Sequence, residues 1–183
     1  MAKIIKTAWI CILVSLLWGL STKAQQIYQT KEGSIGVIGS YGNTKIIANS
    51  NHLLALINYE TAEIELTLNP ATLRSTSDSL NVKLLNSSIG PTILKGKLNI
   101  PYVNTLKHPD HKLNFEAELH LNGMVKSMYV TGLLKHIDSN GGISCLLTLN
   151  FKLGLNDFGI ILPEAWNNEI AIQISQAVLK KLN

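Results

Sequence analysis

The segment LNFEAELHLNGMVKSMYVTGLL, residues 113–134, carries the clearest structural signal in the sequence. Apolar and polar side chains alternate without a break from Leu113 to residue 121, which is the period of a strand with one buried face. Asn122-Gly123 then predicts a two-residue type I′ turn, because both central positions of that turn need positive φ. Residues 126–134 return as a second alternating strand. The segment is therefore predicted to be an amphipathic antiparallel hairpin.

Further strands are needed around this hairpin, because an isolated hairpin is at best marginally stable in water. Alternating segments occur at residues 62–69, 93–100, 143–155 and 169–178. Polar turns separate them, including an Asn-Gly pair at residues 140 and 141. The pattern predicts an all-β protein built from one antiparallel sheet, which we expect to close into a β-barrel because closure removes the exposed edges.

Two stretches are less regular. Residues 25–32 are predicted to be a polar lead-in, and the glycine-rich residues 33–42 to be a kinked or bulged first strand. Within residues 71–86, residues 75–79 have a serine-rich loop pattern, and residues 80–85 fit either a short helix or a strand.

Residues 1–24 are predicted to be a signal peptide. Lys3 and Lys6 precede an apolar core at residues 8–20, and Ala24 ends a plausible cleavage site. The apolar core is shorter than the roughly 20 residues that a spanning helix needs. We therefore expect a periplasmic or secreted protein with no stable membrane insertion after the leader is removed, and a single domain at residues 25–183.

Charge argues against a nucleic-acid partner. The chain has 16 basic and 12 acidic residues, and three of the basic residues lie in the predicted leader. The remaining part is nearly balanced in charge, and Arg74 is its one arginine. No basic stripe is left to bind a phosphate backbone.

Cys145 is the one cysteine that remains after removal of the leader, so no intramolecular disulfide is expected. It lies in phase with the apolar positions of its strand, which predicts a small buried side chain. The closest histidine grouping is His108-Pro109-Asp110-His111, and no third ligand follows at a suitable spacing. No metal site is therefore expected.

No catalytic residues are predicted either. The sequence has no glycine-x-serine-x-glycine elbow. The glutamate pairs Glu63 with Glu65 and Glu116 with Glu118 fall on the wet faces of strands, where they are expected to be solvated. The chain is accordingly not expected to be an enzyme.

Several of these features together resemble the YceI-like family of secreted proteins, which have an extended lipocalin-like β-barrel. The resemblance lies in the Lys107-His108-Pro109-Asp110 approach, in Phe115, in the turn at residues 121–126 and in Asp157-Phe158-Gly159-Ile160. It covers about residues 93–174. No single motif is specific, and the order and spacing carry the likeness.

The resemblance implies a carrier that binds an isoprenoid-type or fatty amphiphile inside the barrel, with no other cofactor. The inward positions expected to contact the ligand are Phe115, Ala117, Leu119, Met128, Val130, Leu147, Leu149, Phe151 and Ile172. The alternative is a barrel with a filled core that acts as a structural or protein-interaction module. Trp166 either lines an opening or packs on the surface, and a homodimer stays an open alternative.

Overall fold

The computed structural model describes residues 26–104, 108–137 and 143–182. The predicted leader and the Asn-Gly turn at residues 140 and 141 lie outside these residues, as does Lys107. The strands are β1 (Ile27–Tyr41), β2 (Thr44–Asn58), β3 (Glu63–Leu68), β4 (Arg74–Ser75), β5 (Thr92–Lys97), β6 (His111–Leu121), β7 (Met124–His136), β8 (Ile143–Gly154) and β9 (Glu169–Lys181).

Eight of these strands close into an antiparallel β-barrel, which confirms the predicted fold class. The order around the barrel is β1-β9-β8-β7-β6-β5-β3-β2, and β1 also pairs with β2 to complete the circle. The two-residue strand β4 pairs with β2 outside this circle. Every strand pair is antiparallel, as expected from the alternating sequence pattern.

The hairpin of β6 and β7 has the predicted turn. Asn122 and Gly123 have φ values of 52° and 74°, and Leu121 faces Met124 across the turn. The ladder continues without a shift to the pair of His111 and Leu134. Along β6 the residues alternate between buried and outward-facing positions, so the amphipathic pattern is the one predicted.

Strand β1 differs from the expectation at its start. It begins at Ile27, so residues 27–32 of the predicted polar lead-in belong to the sheet. Tyr28 and Gly33 are buried, whereas Lys31 and Glu32 between them are exposed. Two register shifts between Thr30 and Ile35 obscure the strand period in the sequence. The predicted bulging of the first strand is therefore present, but it interrupts a strand that has already begun.

The ambiguous residues after β4 form a helix, α1 (Asp78–Leu85). The Ser77 hydroxyl oxygen accepts a hydrogen bond from the backbone N–H of Leu80, which is a typical N-cap, and Asp78 adds a favourable charge to the first turn. No helix in the described ranges has both the length and the apolar character needed to cross a membrane. Short 3₁₀ turns occur at Pro70–Thr72 and Leu155–Phe158.

Candidate functional site

The barrel contains a cavity of about 420 Å³ at one end. This is the end where the hairpins β1–β2 and β6–β7 turn and where β8 connects to β9. We call the part of the interior enclosed by the cavity-lining residues the hollow half. Its volume falls in the range of roughly 300–1,000 Å³ typical of small-molecule sites.

Seven strands and their connections supply the cavity wall. Nearly all of the inward side chains are aliphatic or aromatic, because the residues that alternate onto the barrel interior are the apolar positions of each strand. The strand residues that line the cavity are Ile35, Val37, Gly39, Ile46, Ala48, Leu53, Leu66, Leu68, Thr92, Leu94, Leu119, Leu121, Phe151, Leu153, Ile170, Ile172 and Ile174.

Two structures surround the mouth. Helix α1 directs Leu80 and Leu84 towards the cavity, and the connection at residues 155–168 contributes Trp166 and Leu162. Backbone hydrogen bonds hold that connection against the β1–β2 hairpin, from Gly42 N–H to the Ala165 carbonyl at 2.7 Å and from Asn167 N–H to the Ser40 carbonyl at 3.0 Å. The Trp166 ring also packs edge-to-face on Tyr41, with 5.4 Å between ring centroids.

Polar side chains at the wall are few and lie together. Lys83 is on α1, Ser87 follows the helix and Thr92 starts β5, so all three belong to the connection between β3 and β5 and its junction with β5. Lys83 and the lining residue Pro163 are exposed, which places the opening to solvent beside them. The cavity is thus apolar inside and has one cationic side chain at its lip.

The other end of the barrel is packed with side chains, and we call it the filled half. Tyr28 stacks on Tyr59 with 3.8 Å between ring centroids, and both rings are buried. Residues 98–103 run across this end, with Val103 N–H donating to the Tyr59 carbonyl at 2.7 Å. Leu134, Leu147 and Leu179 are completely buried here.

The predicted ligand-contacting residues divide between the two halves. Leu119, Phe151 and Ile172 line the cavity. Six others do not line it: Phe115, Ala117, Val130, Leu147 and Leu149 are buried in the core, and Met128 packs against it half-buried. The packing near Ala117 is close, since a Cβ atom added at Gly96 would lie 3.0 Å from the Ala117 Cβ. The structure therefore brings together the predicted residues that are nearest the open end.

Several cavity residues were absent from the predicted set. Ile35 and Val37 come from β1, Ala48 from β2 and Leu84 from α1. The alternation of Ile170, Ile172 and Ile174 was visible in the sequence, and it could have added two wall positions. The register shifts in β1 and the short length of α1 left no comparable periodic signal for the others.

Comparison with solved structures shows that the fold of this chain is similar to that of known proteins. A polyisoprenoid-binding domain from Saccharophagus degradans, implicated in plant cell wall breakdown, superposes with a TM-score of 0.65 at 8% identity, over 87% of this chain and 100% of that one. Burkholderia cenocepacia BcnA gives a TM-score of 0.56 at 10% identity, over 80% and 95% of the two chains. The YceI-like barrel inferred from the sequence is thus confirmed at the level of the fold. No family model and no curated protein sequence matches the chain.

Proposed function

We propose that this chain is an exported, non-enzymatic carrier that holds the tail of an isoprenoid-type or fatty amphiphile in the hollow half of its barrel. The observation that supports this most directly is the cavity itself, whose wall is apolar except for Lys83, Ser87, Thr92 and the indole of Trp166. An apolar chain offers no hydrogen bonds, so a wall with few polar groups leaves few of them unpaired when it binds.

The lip of the cavity favours an anionic head group. Lys83 is the cationic side chain among the lining residues, and it stands beside the opening rather than in the interior. A bound amphiphile with its tail inward would place a carboxylate or phosphate near this ammonium group and keep it hydrated. The likeness to a polyisoprenoid-binding domain supports the class of ligand only through the shared barrel.

The alternative function is that of a barrel with a filled core that acts through its surface. The filled half agrees with that account, whereas the cavity in the hollow half does not. The carrier proposal uses both observations, because a packed end gives a closed floor to a pocket that opens at the opposite end. A ligand tail would then enter from one direction.

Ligand binding can be tested by blocking the cavity. Ala48 lines it and is buried, so Ala48→Phe should fill the space and abolish binding of a fluorescent fatty-acid or polyisoprenyl probe. The matched control is Gln173→Phe, which adds the same side chain to an exposed position beside Ile172 and should leave binding unchanged. Circular dichroism establishes that both variants are folded.

The proposal fails if the wild-type protein binds neither probe and carries no extractable lipid by mass spectrometry after native purification. It also fails if Ala48→Phe binds as well as the wild type. Export is tested separately: the intact mass of the exported protein should correspond to a chain that starts at Gln25, and retention of the leader would contradict this part.

A further inference from the structure

Three histidines and a cysteine meet at the end of the barrel opposite the cavity mouth. His136 and Cys145 are direct cross-strand neighbours on β7 and β8, and Cys145 is fully buried. His108 approaches them from the connection that precedes β6, and His111 begins β6 itself. This cluster plays no part in the proposed cavity, and it places three half-buried imidazoles near a fully buried thiol.

The ligand-type atoms of three members already converge. The Cys145 Sγ lies 3.7 Å from the His108 Nε2. One nitrogen from each of His108 and His136 and the Cys145 sulfur all lie within 4.8 Å of one another. A tetrahedral zinc with ligand bonds of about 2.3 Å to sulfur and 2.0–2.1 Å to nitrogen holds those two ligand atoms about 3.6 Å apart. The closest pair thus has nearly the separation that a shared ion requires.

The hydrogen bond at His108 Nδ1 leaves Nε2 as the nitrogen that can bind a metal ion. Its Nδ1 lies 2.7 Å from the Pro109 carbonyl oxygen. A carbonyl only accepts, so Nδ1–H is the donor and Nε2 is left to face the thiol with its lone pair in the neutral ring. Metal-binding histidines commonly have this arrangement, in which a carbonyl orients the ring through the second nitrogen.

We propose that His108, His136 and Cys145 form a zinc site that fastens the connection before β6 to the β7–β8 edge of the barrel. Cysteine thiolate and histidine imidazole are both zinc ligands, and binding would release the Cys145 thiol proton to solvent as the sulfur becomes a ligand. His111 is placed to supply a fourth ligand after a side-chain rotation, since its ring stacks on His108 with 4.6 Å between centroids.

The members of this site are distant along the chain, so no local sequence motif indicates it. His108 and Cys145 are 37 residues apart. In the sequence the neighbours His108 and His111 have no third ligand at a suitable spacing, whereas the pairing of β7 with β8 supplies His136 and Cys145. The inference is independent of lipid binding, because the cluster shares no residue with the cavity wall.

The test is zinc titration of the purified, metal-stripped protein against a chromophoric chelator, followed by cobalt substitution. The wild type should bind one zinc ion per chain, and the cobalt form should show a thiolate-to-cobalt charge-transfer band. Loss of an orienting group alone weakens metal sites by about 10–100-fold, so His108→Asn and Cys145→Ser should each weaken zinc binding by at least ~100-fold. His52→Asn, at an exposed position on β2, is the matched control and should bind as the wild type does.

His108→Asn keeps the test decisive if Cys145→Ser does not fold, because His108 lies outside the strands and removing its ring breaks no ladder pairing. Zinc should also raise the melting temperature of the wild type and leave that of His108→Asn unchanged. The proposal is overturned if no stoichiometric zinc binds, if the cobalt form lacks the thiolate band, or if His108→Asn retains wild-type affinity.

Discussion

The filled and hollow halves of the barrel are built from the same strands. Strand β8 passes through both, with Leu147 completely buried in the filled half and Leu153 on the cavity wall. Strand β6 does the same with Leu113 and Leu121. The alternating pattern is identical in the two halves. The pattern therefore decides which side chains point inward, but not whether those side chains fill the interior.

What covers each end accounts for the difference. Tyr28 and Tyr59 insert two large stacked rings into the filled half. Small inward residues occur in both halves, such as Ala48 at the cavity wall and Ala177 opposite Leu147 in the filled half. The cover of the hollow half is the short helix α1 with the connection at residues 155–168. A barrel of this size is either just filled by side chains or just wide enough for a ligand. This molecule uses both solutions along one axis.

The largest expected effect is at Gly132, where β7 approaches β8 in the filled half. A Cβ atom there would overlap the Thr148 carbonyl oxygen and lie 2.6 Å from Leu149 Cδ2. Gly132→Ala should therefore destabilise the protein by more than about 4 kcal/mol or prevent folding, measured by urea denaturation. Gly39→Ala, whose Cβ would be 3.5 Å from its nearest neighbour at the cavity wall, should stay within about 1 kcal/mol of wild type. Equal losses would show that the halves do not differ in packing.

A smaller difference in unfolding free energy is expected between alanine substitutions at two leucines on β8. Leu147→Ala removes a completely buried side chain from the filled half and should cost about 4 kcal/mol of unfolding free energy. Leu153→Ala borders space that already exists, so fewer contacts are lost and the cost should be about 2 kcal/mol. Denaturation midpoints of the two variants give the comparison directly, and the reverse order would contradict it.

The hairpin turn should be less sensitive than the core. Gly123 has a φ of 74°, a left-handed conformation that valine adopts at a cost of roughly 1–3 kcal/mol. Gly123→Val should lower the unfolding free energy by about 2 kcal/mol, because a Cβ atom there has no other atom within 4 Å and backbone strain is the main contribution. Glu118→Gln on the exposed face of β6 should change it by less than about 0.5 kcal/mol. Similar effects from both would contradict the turn geometry.

The smallest expected effect is on ligand affinity, from a substitution at the cavity lip. Lys83→Gln should weaken binding of an anionic amphiphile by up to about 5-fold, the equivalent of roughly 1 kcal/mol for an exposed ion pair. A neutral amphiphile with the same tail should bind equally well to the variant and to the wild type. The ratio of the two affinities, measured at low and high salt, isolates the charge contribution. If the ratio is the same for the variant and the wild type, the head group does not bind near Lys83.

The sequence predicted the regular parts of the fold because they obey a local rule. The strand pair β6–β7 follows from alternation and from Asn122-Gly123, both of which act over a few residues. The sequence of α1 was compatible with a helix or a strand, since the helix is only eight residues long and its exposed positions include the apolar Val82 and Leu85. The start of β1 was assigned wrongly because its bulges displace the phase at which Tyr28 and Ile35 both point inward.

The candidate site was less predictable than the fold. Leu119, Phe151 and Ile172 were among the inward residues chosen, yet nothing local distinguishes them from Phe115 or Leu149. Their difference lies in depth along the barrel axis, which depends on the register between strands distant in sequence. Lys83 acquires its place at the lip only when the β3–β5 connection folds over the barrel.

The pairing of the first and last strands has a consequence for the order of folding. Tyr28 faces Lys181 in the ladder, and Leu182 N–H donates to the Ile27 carbonyl at 2.9 Å. The hairpins β1–β2 and β6–β7 require only neighbouring residues, whereas the circle cannot close until β9 has been synthesised. Such distant pairing is slow because most of the chain must be ordered first. Until then β1 and β9 each present an open edge to other chains, so the molecule is most prone to aggregate just before its sheet becomes continuous.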